Sequence, residues 1–199
     1  MVAGINNAGD AVGSLTLDRA RGEERLAMLD DGWEALREVV AADAAKAGSA
    51  MRVERAAEVM LDVLDPDLSD DRLRLAGSPF VLVEYPMLRL PPVNAEFALL
   101  GLRTRGWTPI VAHPERYRNL DPSLAELDRF RRAGAYLQLN AGSLFGDYGK
   151  TAAGHARRIL LGGEADYVAS DYHARGEPGI QRFVTALVDA GFSEQAELL

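Results

Sequence analysis

Between Glu23 and Lys46 the apolar residues Leu26, Leu29, Trp33, Leu36, Val40 and Ala44 recur at intervals of three and four. That period predicts an amphipathic helix with Trp33 on its core face. Residues 1–22 carry glycine at positions 4, 9, 13 and 22 and predict a loop-like N-terminal segment. Beyond the helix, Met51 to Val53 is a short strand candidate running into Ala56-Ala57-Glu58-Val59, and Pro66 to Leu75 predicts a turn and a brief helix. The unbroken apolar run Phe80-Val81-Leu82-Val83 predicts a strand buried on both faces, leaving through Glu84-Tyr85-Pro86.

Three further cycles repeat this pattern. A helix over Asn94 to Arg105 stops at Gly106, and the strand Pro109 to Ala112 ends in His113-Pro114-Glu115-Arg116. A helix over Ser123 to Arg132 precedes Gly134 and the strand Tyr136 to Leu139, which ends in Asn140-Ala141-Gly142-Ser143. The helix Thr151 to Leu161 and the strand Asp166 to Ala169 lead to Ser170-Asp171-Tyr172-His173, and a helix from Ile180 to Ala190 closes at Gly191. Alternating helices and short strands predict an α/β fold, a parallel sheet with outer helices, either open or closed into a barrel. Residues 23–199 read as a single domain.

Composition narrows the chemistry. With 48% hydrophobic and 26% charged residues over 199 positions, the chain is globular, and its net charge of -8 argues against nucleic-acid binding. No apolar run reaches the length of about 18 residues that membrane insertion requires, so a cytoplasmic location is expected. Cysteine is absent, which leaves this chain no thiol nucleophile and no thiolate metal site.

Parallel α/β folds gather ligand-binding groups at the carboxyl ends of their strands. Glu84, His113, Asn140 and the pair Asp171 and His173 follow four successive strand candidates, and Glu58 stands at a fifth. Any one of these taken alone is an N-cap or a loop hydrogen-bonder. Together they concentrate carboxylates and imidazoles on one rim, an arrangement that divalent cations neutralise. Asp-x-His spacing at 171 and 173 points both side chains the same way in extended backbone. Arg116 and Arg175, beside the two histidines, are either surface ion-pairing residues or anion clamps. His155 reads as a surface or packing residue, and Gly142 to Gly146 as a turn and helix start.

The segments Val111-Ala112-His113-Pro114-Glu115-Arg116-Tyr117, Leu139-Asn140-Ala141-Gly142-Ser143-Leu144-Phe145-Gly146 with Gly149-Lys150, and Ala169-Ser170-Asp171-Tyr172-His173 resemble three motifs, in order, of one family. It is the bacterial PHP-type (polymerase and histidinol phosphatase superfamily) manganese-dependent protein-tyrosine phosphatases of capsule and exopolysaccharide synthesis. Ala56-Ala57-Glu58-Val59 and Val83-Glu84-Tyr85-Pro86 are similar to its Gly-x-Glu and Glu-x-Pro motifs. The resemblance implies a distorted (β/α)7 barrel around a trinuclear site of Mn2+ or another divalent metal. Glu58 would bridge two metals, Glu84 and His113 would complete the second, Asp171 would hold the first and His173 the third. Arg116 and Arg175 would bind phosphate. The family opens with a His-x-His strand that this sequence lacks, and Gly4-Ile5-Asn6 stands where a Thr-Pro-His strand end belongs. An incomplete barrel, its first strand missing through truncation or degeneration, is therefore expected.

The function implied is hydrolysis of phosphotyrosine protein, with a bacterial tyrosine autokinase as the partner. The alternatives are a small-molecule phosphatase acting on a substrate like histidinol phosphate, and a non-catalytic remnant that only binds. A barrel lacking its opening strand exposes unpaired edges and is expected to self-associate. Thermal unfolding and light scattering with manganese present, on this chain and on one extended by a His-x-His strand, check this. The extended form should be the more stable and the less associated.

Overall fold

The computed structural model describes residues 34–35, 37–39, 41–42, 45–46, 56–91, 93–171 and 179–191. The loop over 1–22 with Asn6, the core face of the first helix with Trp33, the strand candidate 51–53, and the positions His173 and Arg175 lie outside the described residues. The chain divides into two compact units, mainly residues 7–54 and residues 55–199. In the first, every described position between 34 and 46 is helical and exposed, and Arg37 pairs with Glu34 one turn away at 3.4 Å.

The second unit runs β1 (Glu58–Met60), β2 (Phe80–Glu84), α1 (Ala95–Thr104), β3 (Thr108–Ala112), α2 (Ala125–Arg132), β4 (Tyr136–Asn140), α3 (Ala141–Leu144), α4 (Lys150–Leu161), β5 (Tyr167–Ala169) and α5 (Gly179–Asp189). All five strands are parallel and lie side by side in chain order, with registers such as Glu58↔Leu82, Leu82↔Ile110, Val111↔Leu137 and Leu139↔Val168. Among the described residues the sheet is open, with β1 and β5 at its edges. Its consecutive order is the winding of a barrel wall rather than that of a doubly wound sheet.

One face of the sheet is packed by the helices. Val81 and Val83 of β2, Leu99 and Leu102 of α1, Leu127 and Phe130 of α2, Leu137 and Leu139 of β4 and Ile159 of α4 are wholly buried in one apolar cluster. The other face is more open. In β2, Phe80, Leu82 and Glu84 are only partly buried, so this strand alternates, unlike the two-sided burial that its apolar run predicts. Phe80 and Leu82 share the more open side with Glu84, whereas the next strand, β3, is buried on both faces from Pro109 to Ala112. A chain of ring contacts, Phe80 to Tyr136 at 5.6 Å and Tyr136 to Tyr167 at 6.0 Å, links β2, β4 and β5.

The aromatic pair Tyr85 and Tyr117 fastens the exits of two neighbouring strands. Both rings are buried, 5.8 Å apart and edge to face, and the Tyr117 hydroxyl oxygen accepts from the Tyr85 N–H at 3.0 Å. Tyr85 in turn donates to the Ala95 carbonyl at the start of α1 at 2.5 Å. Burial pushes both phenols above their usual range. Replacing Tyr117 by Phe keeps the ring but leaves the Tyr85 N–H buried without its acceptor. We expect a loss of about 1–3 kcal/mol in denaturant unfolding, and a Tyr117→Phe variant as stable as the parent would show that the contact carries no weight.

Candidate active site

The rim of the sheet is shaped by backbone that most residues avoid. His113, the first residue past β3, has φ 34° and ψ 54°, and Asp171, just past β5, has φ 45°. Left-handed backbone at a non-glycine residue is strained and persists where its surroundings fix it. At His113 the fixing is visible: its N–H donates to the Gln138 carbonyl at 2.8 Å, and Pro114 opens the 3-10 turn Pro114–Arg116. That turn folds back over the rim and brings Arg116 beside Asp171.

Glu58, Glu84 and His113 come together there, each offering one ligand atom, and these atoms all lie within 4.8 Å of one another. His113 Nε2 is 3.1 Å from Glu58 Oε1 and 3.7 Å from Glu84 Oε2. Glu58 Oε1 is nonetheless buried without a hydrogen bond of acceptable geometry, and so is His113 Nδ1. The donor set of two carboxylates and an imidazole suits a first-row divalent cation, and its orphaned carboxylate oxygen fits that role. Glu58 is the first residue of β1, not the residue that caps it as the sequence pattern predicts. It still reaches the rim, because its side chain shares the open face with Leu82 and Glu84.

Charges in this cluster perturb one another. Burial raises the Glu84 carboxyl above its ordinary value, and the neighbouring Glu58 carboxylate raises it further. Burial lowers the His113 imidazole, but the Glu58 carboxylate 3.1 Å away outweighs it, so the net shift is upward. Both shifts have one meaning: two carboxylates in a desolvated corner demand positive charge.

Asp171 lies outside this three-atom group. Its Oδ2 accepts from Arg116 Nη1 at 2.6 Å and from Asn140 Nδ2 at 3.1 Å. Asn140 also caps α3, its Oδ1 accepting from the Gly142 N–H at 2.8 Å. Arg116 Nε and Nη2 have no hydrogen-bond partner among the described residues, and the guanidinium carbon sits 4.1 Å over the ring of Tyr148.

Glu115 is the residue that sequence reasoning passed over. It is 1% exposed, and its Oε1 accepts from the Asn140 N–H at 3.1 Å and the Ser143 hydroxyl at 2.7 Å. Its carbonyl lies 3.3 Å from His155 Nδ1 on α4, so His155 is the packing residue of the two alternatives and is buried. The acidic residue inside the His-Pro-Glu-Arg segment was the signal, but its position in a turn reads as exposed. Burial raises the Glu115 carboxyl above 4.5, more than its hydrogen bonds lower it.

A model of the capsular polysaccharide synthesis family CpsB/CapC matches residues 21–191. The sequence is 33% identical to tyrosine-protein phosphatase YwqE of Bacillus subtilis over 101 residues, 51% of this chain and 39% of that protein. It is 32% identical to tyrosine-protein phosphatase CpsB of Streptococcus agalactiae over 104 residues, 50% of this chain and 42% of that protein. The matched segment thus spans about two fifths of these relatives' length. The fold is similar to a solved chain from the crystal structures of YwqE from Bacillus subtilis and CpsB from Streptococcus pneumoniae, described as metal-dependent tyrosine phosphatases. There the TM-score is 0.62 and the identity 26%, over 82% of this chain and 67% of that one.

Replacing Glu115 by Ala strands the Asn140 N–H and the Ser143 hydroxyl and opens a cavity, for an expected loss of about 2–5 kcal/mol in denaturant unfolding. Glu115→Gln keeps an acceptor in place. Because burial raises the folded carboxyl above its ordinary value, the folded chain keeps a proton that the unfolded chain loses as pH rises past about 4.5. Wild-type stability therefore declines as pH climbs toward the folded pKa. Glu115→Gln should lack that decline, and parallel stability curves for the two proteins would remove the buried charge from the account.

Proposed function

The chain belongs to the capsular polysaccharide synthesis family CpsB/CapC, and from that premise we propose that it carries the site of a metal-dependent protein-tyrosine phosphatase. The observation that carries this reading is the convergence of Glu58, Glu84 and His113 within 4.8 Å, next to an arginine whose Nε and Nη2 have no hydrogen-bond partner among the described residues. Those three side chains would hold a divalent cation, Mn2+ by analogy with the family, with Asp171, His173 and Arg175 completing the site. A cation there supplies Lewis acidity toward a phosphoryl oxygen and acidifies a water for in-line attack on phosphorus. Arg116 offers its Nε and Nη2 to the phosphate oxygens as a planar fork, while Asp171 fixes the guanidinium through Nη1. An aryl oxide, whose conjugate acid has a pKa of about 10, departs with less need of a protein acid than an alkoxide does. No cysteine is present in this chain, so a thiolate nucleophile plays no part. The substrate would be phosphotyrosine protein in capsule or exopolysaccharide regulation, with a tyrosine autokinase as its source.

Three measurements test the proposal. The purified chain, supplied with Mn2+, should release phosphate from a phosphotyrosine peptide, faster than from histidinol phosphate, and lose that activity in EDTA. Activity that survives EDTA overturns the reading. His113→Ala should lower the metal content read by mass spectrometry, since the group drops from three ligands to two. Arg116→Lys should keep the metal and weaken inhibition by inorganic phosphate about tenfold, as a point charge replaces the fork.

A further inference from the structure

The loop between α3 and α4 takes no part in the chemistry above, yet it is built with care. Phe145, Asp147 and Tyr148 are all exposed on it, with Phe145 at 36% and Tyr148 at 39%. Exposed aromatic side chains in a surface loop usually cost order without return, but here each is fixed in place. Arg182 of α5 pairs with Asp147 through both carboxylate oxygens at 2.8 and 2.9 Å, and its guanidinium carbon lies 4.2 Å over the Phe145 ring. Tyr148 is held on two sides, by Arg116 over its face at 4.1 Å and by Gly142 at its edge. A side chain on Gly142 would bring its Cβ to 3.3 Å from Tyr148 Cε2 and 2.8 Å from Asp147 Oδ2, so only glycine lets the loop close this far onto α3.

We propose that Tyr148 is a specificity-determining residue, an aromatic platform on which the aryl leaving group of a phosphate monoester stacks while Arg116 holds the phosphate. The inference rests on the phosphatase reading of the site. With the Arg116 guanidinium carbon 4.1 Å over the Tyr148 ring, a phosphate held by that arginine has the ring beside it. Substrates with a flat aromatic group beyond the ester oxygen gain a stacking surface that is already ordered and therefore cheap in entropy. An alkyl phosphate meets the same arginine but finds nothing flat to match. The half-exposed state of Tyr148 is what a platform needs, whereas a ring serving only to orient Arg116 has no reason to stay open to solvent.

Binding of phenyl phosphate, methyl phosphate and inorganic phosphate, read as competitive inhibition of phosphotyrosine-peptide hydrolysis by the Mn2+-supplied chain, separates the possibilities. The wild-type chain should bind phenyl phosphate about fivefold or more tighter than methyl phosphate, the factor one aromatic stacking contact provides. Tyr148→Phe should preserve that ratio, and Tyr148→Ala should bring it close to one. If Tyr148→Ala weakens both monoesters by the same factor, the ring only positions Arg116 and the proposal falls. It falls equally if the ratio survives the substitution or is absent in the wild type. A wild-type chain that binds none of the three phosphates defeats the phosphatase reading itself, and the platform with it.

Discussion

The buried carboxylate of Glu115 is where three parts of the chain meet. Through its side chain it receives the last residue of β4 and the serine of α3, and through its carbonyl it meets His155 of α4. Its neighbours in sequence, His113 and Arg116, are the groups that face the rim. Two oxygens of one residue thus set how the exit of β3 lies against the exit of β4, and the fork of Arg116 inherits that placement. A group this deep tolerates little misplacement, because a buried acceptor that loses its donors bears the full desolvation penalty. Tyr117 does the corresponding work on the other side by accepting from the Tyr85 N–H, next to Glu84. Glu84 is therefore one residue, and His113 two, from a buried polar contact that couples their strand exits, and the spacing of the donor group follows from these contacts.

Electrostatics runs against packing at the same place. Packing drives the rim residues into partial desolvation, while two carboxylates at close quarters repel and require a positive partner. Within the protein that partner is divided. His113 faces both glutamates, and Arg116 faces Asp171. Among the described residues the division leaves part of each cationic group without a hydrogen bond, namely His113 Nδ1 and Nε and Nη2 of Arg116.

Much of this was legible in the sequence because the signals were local. The helices declare themselves by period and by glycine stops at Gly106, Gly134 and Gly191, and β2 to β5 by apolar runs ending in polar residues. The bounds of α1 and α4 fall within one residue of those that the pattern predicts. Glu84 and His113 could be placed on one rim by counting strand ends. What depended on distance in space was not legible. β1 has three residues and no apolar run of its own, so its register, and with it the depth of Glu58, is fixed only by pairing with β2. Burial of Glu115 follows from Asn140 and Ser143, which lie 25 and 28 residues farther along the chain. The contact of Tyr148 with Arg116 joins two loops that no periodicity relates.

The consecutive strand order has a consequence for how the chain acquires its structure during synthesis. Every described strand pairs with the next one along, so each new strand finds its partner already at the growing edge, and no strand must wait for a distant segment to be inserted between two others. The loops closed at each step stay short, which limits the entropy lost before a pairing is rewarded. A ribosome delivering this chain from its N-terminus therefore extends the sheet one βα unit at a time. The rim is assembled in the same direction: Glu58 and Glu84 emerge first, His113 and Arg116 follow, and Asp171 comes last to engage the guanidinium.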